Sequence, residues 1–456
     1  MPTTVGSVSR YPARVSCFWY GVLILVGAAG LMHPWCRGNG AQPWSAVDAI
    51  FTSTSACCVT GLAVRSTGSD LSFIGQIWLL LLIQLGGVGI MTVTTYVLFS
   101  FGSAESMRAR RVISETLGAD ESTPLRKVLR EVLLFTLIIE LIGAALLFLR
   151  LSFIFPPDEA LWWAVFHSVS AFCNAGFGLL DDSLVRFQDD PFVIGVISAL
   201  IIVGGIGYPV VMDMRKRRNR IGKDFWRSLH LHTKVMLIGT AGFLVLGFVL
   251  TLLFEIEGSF RGLTLSQMTL RAFFHSVTTR TAGFNSVAVG ELSDATLYVT
   301  IFLMAVGGGP CSTAGGYKVS NAMLLLIRSW CSLRGLPKMN VFRRTIPDDA
   351  TDRATSTLVL FLAMGSLGAL VLLAFESDLG SIGRRPFLPL VFETASALGT
   401  VGLSMGITPF ISSYGKLALV VLMFLGRLGP ISVFASLARR DRDQAVLYPR
   451  EEPLTG

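Results

Sequence analysis

Four short segments of the chain share a pattern that could coordinate a cation through the backbone. Each contains a Phe followed nine or ten residues later by a Gly. Gly adopts a positive φ at little steric cost, and backbone carbonyls in such a stretch can replace the hydration shell of a cation. The segments are AIFTSTSACCVTGL at 49–62, AVFHSVSAFCNAGF at 164–177, AFFHSVTTRTAGF at 272–284 and LVFETASALGTVGL at 390–403.

The spacing of these glycines predicts an internal repeat that covers the whole chain. They are separated by 115, 107 and 119 residues, close to the 114 residues that make one quarter of the chain. A single glycine is most often a packing residue, but four at a constant period favour one shared site. We predict repeats at 1–104, 105–214, 215–328 and 329–456. The predicted ion-binding residues, hereafter the predicted filter, are Val59, Thr60, Gly61, Asn174, Ala175, Gly176, Thr281, Ala282, Gly283, Thr400, Val401 and Gly402.

Each segment is apolar yet too short to cross a bilayer. The pattern predicts a half-length helix followed by an extended stretch that ends at the Gly. Such backbone at membrane depth is tolerated only where it is buried in protein or faces water. Four segments around one axis would supply a water-filled centre, and the half-helices would aim their partly negative C-terminal ends at it.

The composition indicates that these segments lie in a membrane protein. Only 15% of the 456 residues are charged, against about 25% in soluble proteins, and the mean hydropathy is +0.63. We predict an all-α integral membrane protein with eight transmembrane helices in four helix, re-entrant loop, helix repeats around a central pore. The stretches long enough to cross about 30 Å of hydrocarbon are 15–36, 71–104, 132–155, 191–211, 235–254, 295–327, 354–375 and 417–438.

The positive charges predict the orientation of the chain. One alternating set of connectors holds 26 of the 38 Lys and Arg residues, and the opposite set holds 7. By the positive-inside rule the first set, which includes both termini, is cytoplasmic. The net charge of +8 then needs no nucleic-acid partner, and the seven scattered cysteines suggest neither a disulfide framework nor a zinc site. The richer set comprises 1–14, 105–131, 212–234, 328–353 and 439–456.

The sixth stretch contains residues that cannot continue a regular helix. In a helix interior Gly costs about 1 kcal/mol and Pro about 3 kcal/mol. We predict that this span is broken near its middle and that the loop lies in the pore below the filter; the alternative is a simple kink. The residues concerned are Gly307, Gly308, Gly309, Pro310, Gly315 and Gly316.

Two features place the chain near a known family. The filter segments CVTGL, CNAGF, RTAGF and GTVGL, with VGGGPCSTAGGYK at 306–318, resemble the membrane subunit of the Trk/Ktr/HKT superfamily of potassium transporters, and the eight-span count is most similar to its Ktr branch. The resemblance implies a pore for K⁺, with Na⁺ as a coupling or modulating ion and no covalent cofactor. Gly in all four loops favours K⁺, because sodium-preferring relatives have Ser in the first. Cys57-Cys58 depart from the usual first loop.

Further expectations follow from the resemblance. A cation at the centre of a bilayer costs at least roughly 2.5 kcal/mol, so Arg427 in the last span needs partners inside the protein. A structural ion pair would satisfy it, but the resemblance implies a position beside an intramembrane gate, with Lys318 in the same cluster. Arg280 is expected to brace the third loop from behind, against Glu393. A homodimer and a cytoplasmic nucleotide-binding regulatory ring subunit are implied as partners.

A membrane-embedded enzyme or metal-binding protein is the alternative. An enzyme needs a convergent set of acid, base or nucleophilic groups, and no such set recurs in the repeats. His167 and His275 occupy equivalent places, but Thr52 and Glu393 stand there in the other segments, so no fourfold ligand set forms. The residues available to this alternative are His167, His275, Glu140 and Glu393.

Overall fold

The computed structural model describes residues 12–102, 125–376, 378–379, 383–384 and 386–429, and these are mostly helical. Two antiparallel hairpins, β1–β2 and β3–β4, have strands of two residues each. The strands are β1 (Asn340–Val341), β2 (Arg344–Thr345), β3 (Asp378–Leu379) and β4 (Gly383–Arg384). The helices are α1 (Pro12–Met32), α2 (Ala46–Cys57), α3 (Phe73–Gly102), α4 (Leu125–Leu151), α5 (Pro157–Phe172), α6 (Pro191–Ile206), α7 (Tyr208–Lys216), α8 (Gly222–Ser228), α9 (Leu231–Glu255), α10 (Leu265–Thr278), α11 (Asp294–Ala305), α12 (Val319–Leu333), α13 (Asp348–Phe375), α14 (Phe387–Gly399) and α15 (Ser413–Leu428).

Four short helices, α2, α5, α10 and α14, each end a few residues before one of the repeated glycines. The longest, α5, has 16 residues and is therefore about 24 Å long, too short for the hydrocarbon core. Two of their starts are capped by side chains: Ser45 accepts the Asp48 N–H at 3.1 Å before α2, and Thr264 and Gln267 form a capping box before α10. The predicted half-length helices are thus present in all four segments.

Three helical stretches are long and apolar enough to cross a membrane on their own: Leu129–Leu151, Leu231–Glu255 and Asp348–Phe375. A bent pair, α6 and α7, could form a fourth. Each of the eight predicted spans contains described helix, but the last part of 417–438, both termini and most of the 105–131 connector lie outside the described residues. Shorter apolar stretches are Ser16–Met32, Phe73–Gly89, Asp294–Ala305, Val319–Leu333 and Phe387–Gly399.

Two of the predicted spans are interrupted. The break expected in the sixth span is confirmed, since α11 ends at Ala305 and α12 begins at Val319. The predicted span 191–211 is bent as well, because the chain turns by 94° between α6 and α7. Gly207 lies at this bend with φ +100°, a conformation that side chains disfavour, and Pro209 follows in the first turn of α7.

The short helices pack against neighbours in a cyclic order: α5 on α3, α10 on α6, α14 on α11 and α2 on α15. The last contact joins the first and fourth predicted repeats through an ion pair, in which Lys416 Nζ lies 2.8 Å from Asp48 Oδ1. Burial alone would raise the pKa of Asp48, but the hydrogen bonds from Lys416 and Ser45 and the charges of Lys416 and Arg65 together outweigh it, and the pKa lies below its usual value. The short helix of the first predicted repeat and the last described helix are therefore neighbours.

Candidate functional site

The four repeated glycines meet at one place in the molecule. Each has a positive φ, between +70° and +96°. A Cβ atom added to any of them would lie close to the Cα of the next glycine in the ring. The distance from the added Cβ is 3.0 Å for Gly61 to Gly176, 2.8 Å for Gly176 to Gly283, 3.2 Å for Gly283 to Gly402 and 3.0 Å for Gly402 to Gly61. The four loops thus form a closed ring, with no room for a side chain where they meet.

A second feature of the backbone recurs in each loop, two residues before the glycine. The residue there also has a positive φ although it is not Gly, and such a conformation is uncommon, above all for β-branched side chains. Its recurrence in all four loops indicates one shared backbone conformation. These residues are Val59 (φ 54°), Asn174 (59°), Thr281 (68°) and Thr400 (50°).

A hydroxyl from each short helix supports the loop that follows it, in one of two ways. In the first and fourth loops the serine oxygen accepts the glycine N–H, at 3.1 Å from Gly61 and 3.0 Å from Gly402. In the second and third loops the hydroxyl donates to the carbonyl of the Phe after the glycine. These side chains are not among the predicted site residues, although a Ser or Thr stands there in each aligned segment: Ser55, Ser170, Thr278 and Ser396.

On one side of the ring the glycines line a cavity of about 500 Å³. Its wall continues through the residues that follow each glycine and carries the carboxylates of Asp70 and Asp181, together with Arg65 and several hydroxyls. The ring therefore opens on this side to a polar space from which a cation can reach all four loops.

The segment 306–318, hereafter the buried loop, approaches the ring from the other side. In the fourth segment the buried loop lies closest to the residues before Gly402, and not to those after it. A Cβ at Gly315 would lie 2.1 Å from Thr400 Oγ1, and one at Gly316 would lie 3.1 Å from the carbonyl oxygen of Gly399. The buried loop is thus packed directly against the fourth predicted filter segment.

Backbone hydrogen bonds tie the buried loop to the bend between α6 and α7. Gly309 N–H donates to the Gly205 carbonyl at 2.8 Å, and Tyr208 N–H donates to the Cys311 carbonyl at 3.1 Å. The two ends of the loop are joined by the Gly307 N–H, which donates to the Tyr317 carbonyl at 2.8 Å. The bend at Gly207, which the GGIGYP sequence at 204–209 could have signalled, thus provides the polar groups that hold the loop.

Two cations, one buried and one half-buried, bind consecutive carbonyls of the same loop. Arg427, 4% exposed, donates from Nη1 to the carbonyl of Thr313 and from Nη2 to that of Gly86 at 2.9 Å. Lys318 Nζ donates to the carbonyl of Ala314 at 2.7 Å. Within the described ranges no carboxylate forms an ion pair with Arg427. The predicted gate residues are therefore brought together, and the guanidinium bonds backbone oxygen atoms.

Arg280 braces the ring from behind, but with different partners from those predicted. Its guanidinium donates to the carbonyls of Thr240 at 3.0 Å and Gly307 at 3.2 Å. The predicted pairing with Glu393 is wrong, because the Glu393 carboxylate accepts hydrogen bonds from Ser404 and Thr408 instead.

The residues available to an enzyme or a resident metal have separate partners. The His167 ring stacks on Trp163 with centroids 3.4 Å apart, whereas His275 Nε2 lies 2.9 Å from Thr300 Oγ1. Glu140 accepts from Gln84 at 3.0 Å. Across the part of the chain that the structure describes, no three His, Cys, Asp or Glu residues are grouped as metal ligands.

Comparison with known proteins agrees with the resemblance in the loops. Residues 27–445 match the family described as TrkH, cation transport protein. The chain is 35% identical to the Ktr system potassium uptake protein B of Bacillus subtilis (strain 168), over 98% of this chain and 97% of that protein. It is 36% identical to the potassium/sodium uptake protein NtpJ of Enterococcus hirae, over 98% and 97%. These relatives are named as transporters and not as enzymes.

The fold has a solved counterpart. The crystal structure of the potassium transporter TrkH from Vibrio parahaemolyticus superposes with a TM-score of 0.74 and covers 93% of this chain and 84% of its own. At 19% sequence identity this likeness concerns the fold alone.

Proposed function

Because the chain belongs to the TrkH family of cation transport proteins, we propose that it is the pore subunit of a potassium uptake system in the cell membrane. The observation that carries the proposal is the ring of four glycines, whose loops close on one another in sequence order. Relatives named for potassium uptake cover nearly the whole chain, so the proposal concerns all four loops together.

In this proposal the predicted filter selects the ion. Each glycine packs against a backbone carbonyl of the next loop: the Cβ positions of Gly61, Gly283 and Gly402 lie 2.5, 2.6 and 2.0 Å from the oxygens of Ala175, Val401 and Thr60. Carbonyl oxygens collected at one point can replace the hydration shell of K⁺. Because Gly stands in every loop, the ring favours K⁺ over Na⁺; one relative is named for both ions, so Na⁺ remains a candidate modulating ion. Cys57 and Cys58 are both buried.

Four repeats with eight spans form the scaffold of the proposed pore. This is supported by equivalent close contacts between the second helix of a repeat and the end of its short helix. A Cβ at Gly86, Gly204 or Gly426 would lie 1.9 to 2.0 Å from the carbonyl oxygen of Cys57, Phe172 or Leu398, respectively. In the third repeat the equivalent region is the start of the buried loop. The repeats are taken as 1–104, 105–214, 215–328 and 329–456.

The buried loop is proposed as the gate. It lies against the inner end of the ring, and Arg427 and Lys318 hold two of its carbonyls with full positive charges. A cation leaving the ring on this side meets both the loop and the two like charges, which together form the barrier. Movement of the loop away from the ring would open the path.

The arrangement in the cell follows the same reasoning. The connectors rich in Lys and Arg, and both termini, are proposed to be cytoplasmic. The Bacillus subtilis relative is named as part of a Ktr system, which fits a second component; we propose a cytoplasmic nucleotide-binding ring subunit bound at these connectors. A homodimer of the membrane subunit is likewise proposed.

The test is growth and uptake in a bacterium that lacks its own potassium uptake systems. Cells producing the chain, with or without a candidate ring subunit, should grow at low K⁺ and accumulate Rb⁺. A protein that inserts in the membrane but supports neither growth nor Rb⁺ uptake, with any ring subunit tested, would refute the proposed function.

A further inference from the structure

A buried carboxylate that the proposed pore does not use directly lies behind the fourth loop. Glu393 on α14 is fully buried. Ser404 Oγ donates to its Oε1, and Thr408 Oγ1 donates to its Oε2 at 3.0 Å. Within the described residues no Lys or Arg forms an ion pair with it. Such a group is costly to bury unless hydroxyl donors satisfy both oxygens.

The partners of Glu393 belong to the segment that leaves the ring. Ser404 follows Gly402 by two residues, and both Ser404 and Thr408 line the cavity outside the ring. Ser404 Oγ also accepts the Gly406 N–H at 2.9 Å and lies 2.9 Å from Thr408 Oγ1. The carboxylate is therefore the common anchor of a hydrogen-bonded turn that forms one wall of the cavity.

The residues equivalent to Glu393 in the other three loops have different partners. His167 reaches the segment after its own glycine, since its Nε2 lies 3.4 Å from the Leu179 N–H donor. His275 contacts Thr300 on α11 instead, and the Thr52 hydroxyl has no partner among the described residues. Only the fourth loop thus combines a carboxylate at this position with two hydroxyls of its outgoing segment.

We propose that Glu393 is a positioning residue for ion selectivity: it fixes the turn Ser404–Thr408, and thereby the backbone of Gly402 in the ring. The inference rests on the proposed function. Discrimination between K⁺ and the smaller Na⁺ depends on carbonyls held at defined positions by the surrounding structure. Without the Glu393 carboxylate the turn Ser404–Thr408 can move, and the fourth loop can shift with it. Na⁺ then competes more effectively with K⁺.

The test measures Rb⁺ uptake per molecule in the membrane and its inhibition by Na⁺. Glu393→Ala removes both acceptors and should increase the potency of Na⁺ by about tenfold, since the buried Thr408 donor left unsatisfied costs about as much as a tenfold change in an equilibrium. Glu393→Gln retains one acceptor and should recover part of the selectivity. Ser404→Ala leaves the carboxylate bonded to Thr408, so it provides a milder variant if Glu393→Ala fails to fold.

Two control variants change the residues that are equivalent to Glu393 in the first and third loops, where the side chain does not contact the turn Ser404–Thr408. Thr52→Val should leave both abundance and the Na⁺ potency unchanged, and His275→Gln should lower abundance without changing the potency. If Glu393 had a purely structural role, Glu393→Ala would likewise lower abundance without changing the Na⁺ potency. Wild-type discrimination retained in Glu393→Ala, or in Ser404→Ala if the former does not fold, would overturn the inference, whereas a wild-type chain without Rb⁺ uptake would count against the proposed function.

Discussion

The ring of glycines and the buried loop beneath it are both irregular backbone deep in the protein, yet they are supported from different places. Each ring loop is held by its own short helix, as when Ser55 accepts the Gly61 N–H. The buried loop is held by distant elements, including Gly205 on α6 and Arg427 on α15. A locally supported structure can be repeated four times, whereas one that depends on several other helices can change state when any of them moves. Perturbing the ring should therefore alter which ion passes, and perturbing the loop should alter how fast it passes.

The largest effect is expected for a side chain placed in the ring. In Gly402→Ser the new Cβ would lie 2.0 Å from the Thr60 carbonyl oxygen, and in Gly61→Ser it would lie 2.5 Å from that of Ala175. Overpacking of about 1–3 kcal/mol corresponds to a loss of K⁺ over Na⁺ preference of about 5- to 150-fold, greater for Gly402. Rb⁺ uptake in competition with Na⁺ measures the preference, and unchanged competition in both variants would exclude the ring as the filter.

Shortening the buried loop should raise the rate without changing the choice of ion. Gly308 and Ala314 are adjacent, since a Cβ on Gly308 would lie 2.5 Å from that of Ala314, so deletion of 309–313 leaves ends that can be joined. The deletion removes the Thr313 carbonyl that Arg427 binds and the hydrogen bond from Gly309 to Gly205. We expect about tenfold more flux, which corresponds to a closed state that is about 1.4 kcal/mol less stable relative to the open state. Equal flux in a well-inserted deletion variant would favour a simple interruption of the helix over a gate.

A smaller gain is expected from neutralising the cation that holds the loop. Arg427→Gln or Arg427→Ala removes a charge and one donor to the loop. Flux per molecule should rise several-fold, less than in the deletion, because the loop keeps its backbone hydrogen bonds to the bend and the bond from Lys318. Arg427→Lys should lie between these variants and the wild type, since it retains charge but loses the planar fork.

Arg150→Gln is the matched control for Arg427. It removes a guanidinium whose Nε lies 2.9 Å from Asp190, away from the buried loop, so flux should not change. A fall in flux per molecule for both neutral variants of Arg427 would contradict its role as a barrier and favour a structural one.

The smallest effect should separate the two kinds of ring loop. Ser55→Ala leaves the Gly61 N–H without its acceptor, whereas Ser170→Ala removes only a donor from the Phe177 carbonyl. An unsatisfied buried N–H costs more than an under-used carbonyl, so the Na⁺ potency should rise about threefold in Ser55→Ala and less in Ser170→Ala. The reverse order would show that the hydroxyls do not support the loops in these two ways.

The positions of the ring residues could be predicted because the signal occurs four times. Four glycines at a constant period identify a shared site, and the short apolar helices before them follow from length alone. The positive φ of Val59 or Thr400 could not be predicted, since nothing in a β-branched side chain favours it and the surrounding loops impose it.

The partners of the buried cations were harder to predict for a related reason. The composition of the sixth span is sufficient to predict its interruption, and the cost of a charge in a bilayer requires Arg427 to have partners. Which partners these are depends on how separate helices pack: Gly86 and Thr313 are far from Arg427 in sequence. The same reasoning failed for Arg280, whose nearest acceptors are backbone carbonyls that no sequence pattern marks.

The closure of the ring between its first and last loops has a consequence for biosynthesis. The Cβ position of Gly402 adjoins Gly61, and Lys416 pairs with Asp48, so the first loop gains its final neighbours only after about 340 further residues have been translated. At roughly 5–20 residues per second this wait lasts roughly 20 to 70 s. Throughout that time the nascent first repeat presents unpartnered carbonyls, and an Asp48 carboxylate without Lys416, to the insertion machinery. Ribosome stalling or premature termination before the fourth repeat would therefore leave a membrane-inserted product that lacks a complete ring.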